Sequence, residues 1–198
     1  MCQLLETIKV LNNRLTNVSY HNERLNKARA EIFAAKDQWN LSRMISIPQL
    51  DPAIIYRCRI LYARQIEKVE FIPYHPRAIR KLFILIANNI DYSHKYANRQ
   101  ILEDLKKSMT TDPQEDILII KNGLVTDTSF SNIAFFDGSN WITSDSPLLK
   151  GTKRSFYLQS GKISERTIHH SDIKDFEKAR LINAMLDLET GADIFQIE

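Results

Sequence analysis

Lys95 lies in the segment Asp91-Tyr92-Ser93-His94-Lys95-Tyr96-Ala97-Asn98-Arg99, between an apolar strand-like run and a helix-like run. A lysine attacks a carbonyl only after losing its proton, and burial or cationic neighbours favour that loss. His94 and Arg99 are the near candidates for such help. About thirty residues on, Asp127 stands among the hydroxyls of Thr126, Thr128 and Ser129. Gly151-Thr152 follows at the expected start of a helix, where unpaired amides and the helix dipole suit an anion. An amine, a carboxylate and an anion cradle, in that order, describe a site for an anionic cofactor with an electrophilic carbonyl.

Two arginines extend the set. Arg24, on an expected helix face, offers planar, multidentate donors for a phosphate. Arg59 shares one face of an expected strand with Arg57, and two cations on one face can hold a substrate carboxylate. Pyridoxal phosphate meets the combined description. A lysine holds its aldehyde, and an acid facing the pyridine nitrogen keeps the ring protonated and electron-withdrawing. Taken one at a time, each residue has a plainer reading. A lysine before a helix is ordinarily solvated, an aspartate after a strand ordinarily bonds local amides, and Gly-Thr at a helix start is ordinary capping. Surface arginines ordinarily form ion pairs or stay solvated, so the case rests on order along the chain.

Other chemistries find little support. There is no Gly-rich nucleotide loop and no Gly-x-Ser-x-Gly elbow. His169 and His170 are adjacent, so on a strand they point to opposite faces and make a poor metal pair. Neither Cys2 nor Cys58 has a metal-type partner at short spacing, and no metal is expected.

The elements that must position these residues read as mixed α+β. A strand is expected over 3–11, with Asn12-Asn13 as a turn. A helix over 20–35 carries Leu25, Ala28, Ile32 and Ala35 at helical spacing. Alternation over 54–62 predicts a strand, with 69–74 as its hairpin partner. Pro73 and Pro76 then suggest a boundary, dividing the chain into a small N-terminal α/β domain, 1–78, and a larger strand-rich domain, 79–198. In the second, an apolar strand over 81–87 precedes an amphipathic helix over 98–109 with Ile101, Leu102 and Leu105 inward. A strand over 116–121 meets the hairpin signal Asn122-Gly123. A second turn at Asp137-Gly138 separates two short strands, and a short helix runs over 151–159.

Composition narrows the partners. The 198 residues include 43% hydrophobic and 26% charged side chains, ordinary for a globular protein with its own core. Net charge is +3, from 27 basic and 24 acidic residues scattered along the chain, which argues against nucleic acid. Two cysteines in separate contexts argue against a disulfide framework and make a reducing cytoplasm the expected compartment. The N-terminus lacks the basic flank and apolar core of a signal peptide. No apolar run approaches the roughly 20 residues of a membrane span.

Together the segments resemble the class IV aminotransferases, the fold-type IV pyridoxal-phosphate enzymes that include branched-chain and D-amino acid aminotransferases and aminodeoxychorismate lyase. Leu5-Glu6-Thr7-Ile8 is similar to the family's early Glu-Thr strand, and His21-Asn22-Glu23-Arg24-Leu25 to its His-x-x-Arg-Leu helix. Lys95 with Asn98-Arg99 is similar to the lysine region in its lyase-like form. Asp127 through Asn132-Ile133 resembles the acid-x4-Asn strand. Pro147-Leu148-Leu149-x-Gly151-x-x-Arg154 resembles the phosphate turn, and Asn183-Ala184-Met185 a late Asn-Ala segment. The resemblance spans nearly the whole chain, in order.

It implies a two-domain α+β fold of the D-amino acid aminotransferase type and pyridoxal 5′-phosphate as cofactor. Lys95 becomes the Schiff-base amine and proton shuttle. Arg24, Asp127, Ser131, Asn132, Gly151, Thr152 and Lys153 become cofactor contacts, the last two through backbone amides. Arg59 becomes a candidate for a substrate carboxylate. The implied activity is a lyase converting 4-amino-4-deoxychorismate to 4-aminobenzoate and pyruvate, on the way to folate. An amino acid aminotransferase is the alternative, and a non-catalytic cofactor-binding protein a third reading. The implied partners are a small amino substrate and a second copy of the chain in a homodimer, with neither nucleic acid nor membrane. Three departures stand out: the family's usual first hairpin is missing, the usual pyridine-facing glutamate is Asp127, and the turn reads Gly-Thr-Lys-Arg.

Overall fold

The computed structural model describes residues 2–198. The chain forms two compact units. One comprises the residues through Pro76 together with His94–Asn98; the other comprises Arg77–Ser93 and Arg99–Glu198. Lys95 therefore belongs to the unit built from the N-terminal residues, across the boundary drawn from the proline pair. No helix among the described residues is long and apolar enough to cross a membrane.

The first unit is a four-stranded antiparallel sheet covered by one helix. Its strands are β1 (Leu4–Leu11), β2 (Arg14–Leu15), β3 (Tyr56–Tyr62) and β4 (Ile66–Pro73), in the order β2-β1-β3-β4. Asn12 and Asn13 both adopt positive φ, 49° and 54°, the conformation that lets a two-residue turn follow the twist of its strands. Helix α1 (Val18–Phe33) ends where Ala34 turns to φ 54°. Leu25 and Ala28 from α1 pack on Leu4, Ile8, Cys58 and Ile60, whose alternation fills one face of the sheet. A short helix, α2 (Leu41–Met44), follows, capped by Asn40.

The second unit holds two four-stranded sheets. One contains β5 (Lys81–Ile86), β6 (Glu115–Lys121), β7 (Leu124–Thr128) and β12 (Gln196–Ile197), in the order β12-β5-β6-β7. Strands β5 and β6 run parallel, so the chain must cross over between them; helix α3 (Gln100–Met109) lies in that connection. The other sheet contains β8 (Asn132–Phe136), β9 (Trp141–Ser144), β10 (Ser164–Arg166) and β11 (Lys178–Ile182), in the order β10-β9-β8-β11. Helix α4 (Thr152–Gln159) lies between β9 and β10 in the chain. Leu118, Ile120, Ile133, Phe135 and Leu181 share one apolar cluster drawn from both sheets.

The turn at Asn122-Gly123 has φ 53° and 77°, as its dipeptide predicts. The inward face of α3 differs from expectation. Leu102 is buried, but Ile101 is 46% exposed. Successive helical residues turn by about 100°, so a short helix that seats Leu102 carries its neighbour to the solvent side.

Candidate active site

In the first unit, the chemistry gathers on β1. Leu4, Ile8 and Val10 point into the apolar core, and strict alternation sends Glu6 the same way. A carboxylate in that position needs compensation, and α1 supplies it. Arg24 Nε donates to Glu6 Oε1 at 2.9 Å, and Arg24 Nη2 donates to Oε2 at 2.6 Å. His21, one helical turn earlier, places Nδ1 2.5 Å from Oε2. Burial alone would raise the Glu6 carboxyl, but the Arg24 charge and the His21 contact outweigh it and bring its pKa down to about 2. Burial pushes His21 below its ordinary value, and the charges of Arg24 and Lys95 add to that even as Glu6 opposes it.

Lys95 is fixed to the same strand by its backbone. Leu5 N donates to Lys95 O, and Ala97 N donates to Gln3 O, both at 2.9 Å, while Tyr96 bridges to Leu4. These bonds set residues 95–97 along the β1 edge beside Glu6. The unit thus brings the expected amine and the expected phosphate ligand both within electrostatic reach of His21. Arg59 lies on β3, 40% exposed in its side chain and 3.5 Å from Glu70.

In the second unit, Asp127 occupies β7 and is buried. A tight connection follows: Thr128 N donates to Ser131 O at 2.9 Å. Asn132 at the start of β8 therefore returns beside Asp127, which explains the four-residue spacing. Asn132 Nδ2 donates to Asp127 Oδ1 at 2.6 Å and to Leu149 O at 2.9 Å. Leu149 N donates to Asp127 Oδ2 at 2.9 Å. Burial drives the Asp127 pKa up to about 7; the Leu149 amide, Asn132 and Arg154 pull it down without overcoming burial. No cation forms an ion pair with it among the described residues.

Gly151 caps α4, and no side chain caps that end. A Cβ at Gly151 would stand 2.0 Å from Asn132 Oδ1, so only glycine permits this approach of the turn to β8. Thr152 and Lys153, in the first turn, are buried. The Lys153 ammonium pairs with Asp187, leaving its role toward an anion to the backbone. Arg154 donates to Ser144 O and pairs with Glu165. Ser131 Oγ accepts from Asn183 Nδ2 at 2.7 Å, which ties the late Asn-Ala segment to the Asp127–Asn132 connection.

Glu6 and His21 were legible in the motif, but not the meeting of His21 and Arg24 on the Glu6 carboxylate. The available signal was alternation, which puts one carboxylate among apolar inward positions on β1. Asn183 likewise acquires a role only through its contact with Ser131.

The second unit fits the expected cofactor by its donor set. The buried Asp127 carboxylate calls for a cationic ring nitrogen, and the glycine-opened start of α4 offers backbone amides to a phosphate.

A protein of Haemophilus influenzae, with no activity given in its description, is 36% identical over 187 residues, covering 93% of this chain and 98% of its own. A crystal structure from Haemophilus somnus 129pt, provisionally named a 4-amino-4-deoxychorismate lyase, superposes with a TM-score of 0.85 at 33% identity, covering 95% and 98% of the two chains. A hypothetical aminotransferase of Mycobacterium tuberculosis, solved in its pyridoxal-phosphate-bound form, shares the fold with a TM-score of 0.76 at 16% identity, over 99% of this chain and 81% of its own. The model of the amino-transferase class IV family matches residues 3–188, and the chain belongs to that family of enzymes.

Proposed function

We propose that the protein is a pyridoxal-phosphate-dependent lyase that converts 4-amino-4-deoxychorismate to 4-aminobenzoate and pyruvate. The observation that carries this reading is the near-full-length likeness, at 33% identity, to a structure provisionally named for that activity. The Lys-x-x-Asn-Arg form at Lys95 favours it over transamination.

When bound, the cofactor supplies an electron sink for the bond-breaking step. Lys95 would hold the cofactor's aldehyde, and its free amine would accept and return protons as general base and acid. Asp127 would pair with the pyridine nitrogen, since its own desolvation makes a cation beside it favourable. Backbone amides of Thr152 and Lys153 would bind the phosphate, and Arg24, oriented by Glu6, would be a phosphate ligand. Ser131 and Asn132 hold the Asp127 region in register, and Arg59 binds a substrate carboxylate. The same reading makes the working unit a homodimer in the cytoplasm.

The deciding assay supplies 4-amino-4-deoxychorismate to purified, cofactor-loaded protein without a keto acid. Release of 4-aminobenzoate and pyruvate is expected. Turnover that requires a keto acid and yields a new amino acid would instead establish the aminotransferase reading. Borohydride treatment should fix the cofactor to Lys95, located by mass spectrometry. Lys95→Ala should abolish that label and lower turnover by about 10²- to 10⁴-fold through lost proton transfer alone.

A further inference from the structure

We infer that Arg57 is a second anion-binding side chain beside Arg59, and that the pair selects substrates carrying two carboxylates. The inference rests on the reading of Arg59 as a substrate ligand. On β3, Cys58, Ile60 and Tyr62 are buried in the core of their unit. Alternation therefore sends Arg57 and Arg59 to the opposite face of the sheet. Cross-strand register places Thr7 and Glu70 beside Arg59, and Lys9 and Ile72 beside Arg57.

Glu70 is the acidic side chain in those two rows. It pairs with Lys68 at 2.8 Å and with Arg59 at 3.5 Å. The Lys68 contact, with the nearby charges of Arg59 and Arg57, holds the Glu70 carboxyl below its ordinary range. Arg57 lies outside these ion pairs. Its Nε is buried and has no hydrogen-bond partner among the described residues. A guanidinium nitrogen removed from water without a partner is unfavourable, and a carboxylate would satisfy it through a charge-assisted bond.

Spacing then sets the ligand class. Residues two apart on a strand are roughly 7 Å from each other along it. That separation suits two carboxylates carried on one small rigid ring better than a single carboxylate shared by both guanidinium groups. Arg59 takes one carboxylate; Arg57 takes the other and distinguishes diacid from monoacid.

Calorimetric titration of the cofactor-loaded protein with benzene-1,3-dicarboxylate and with benzoate tests this. The diacid should bind the wild type more tightly than the monoacid. Arg57→Gln should weaken the diacid roughly 10- to 100-fold and leave benzoate unchanged, as expected for one charge-assisted contact. Arg57→Lys, which keeps the charge and the fold but loses the fork, should recover part of the preference. Arg59→Gln should weaken both ligands. An unchanged diacid-to-monoacid ratio in both Arg57 variants would overturn the role of Arg57 while leaving the lyase reading intact if aminobenzoate is still released. Unchanged binding of both ligands in Arg59→Gln would overturn the assignment of Arg59 and, with it, this inference.

Discussion

The two units each bury a carboxylate, and they treat it in opposite ways. Glu6 is met by a guanidinium and an imidazole from the helix that covers its sheet, and its pKa falls to about 2. Asp127 is met by an amide N–H and a carboxamide, which are dipoles without net charge, and its pKa rises to about 7. The first carboxylate is compensated by the chain itself. The second is held in place but left short of positive charge. A buried carboxylate supplied with geometry and not with a cation is suited to a cationic ligand group, whereas one supplied with both is suited to orienting its own partner.

That contrast breaks most sharply at Glu6. Glu6→Gln leaves the Arg24 charge facing a neutral amide inside the unit, and removal of one member of a buried ion pair typically costs about 3–5 kcal/mol. Denaturant unfolding of the cofactor-free protein should register that loss. Asp127→Asn should not destabilise the same form above pH 7, because it removes a charge that the fold does not compensate. Equal losses in the two variants would show that both carboxylates are compensated alike.

The pH dependence should separate the two as well. The folded pKa of Asp127 lies above its ordinary value of 3.8, so its contribution is full below pH 3.8 and is lost as pH rises to about 7. The loss is at most about 4 kcal/mol for a shift of that size. The folded pKa of Glu6 lies below its ordinary 4.5, so its contribution is full above pH 4.5 and is lost as pH falls to about 2. Stability measured from pH 4 to 8 should therefore fall more steeply in wild-type, cofactor-free protein than in Asp127→Asn. Saturating pyridoxal phosphate should flatten the wild-type profile. Parallel profiles for wild type and variant would remove Asp127 as their cause.

The smallest effect sharpens the geometric half of the comparison. Gly151→Ala places a methyl group against Asn132 Oδ1, and the turn must shift to accept it. Overpacking of this kind costs about 1–3 kcal/mol. Cofactor affinity should fall more than stability does, because the same shift displaces the start of α4. Wild-type affinity in this variant would show that the approach of Gly151 to Asn132 is incidental.

Much of the fold was readable because its signals are local. Asn12-Asn13 and Asn122-Gly123 state their turns in two residues each, and the alternation of β3 is visible in seven. The inward set of α3 was less legible, since a short helix with one buried position gives periodicity little to act on. At the candidate site, residue types and their order were apparent: the amine, the acid with its asparagine, and the glycine-opened helix. Their partners were not.

Sequence by itself determined which chemistry the chain is equipped for, because reactive side chains and their spacing are written in it directly. Tertiary structure decided how each group is charged and held. Arg24 meets Glu6 across 18 residues, Leu149 reaches Asp127 across 22, and Lys95 is bound to a strand at the other end of its unit's sequence. Such contacts depend on how sheet and helix layers close over one another, and the charge state of a buried group follows from its neighbours after that closure. No local pattern of residues carries that information.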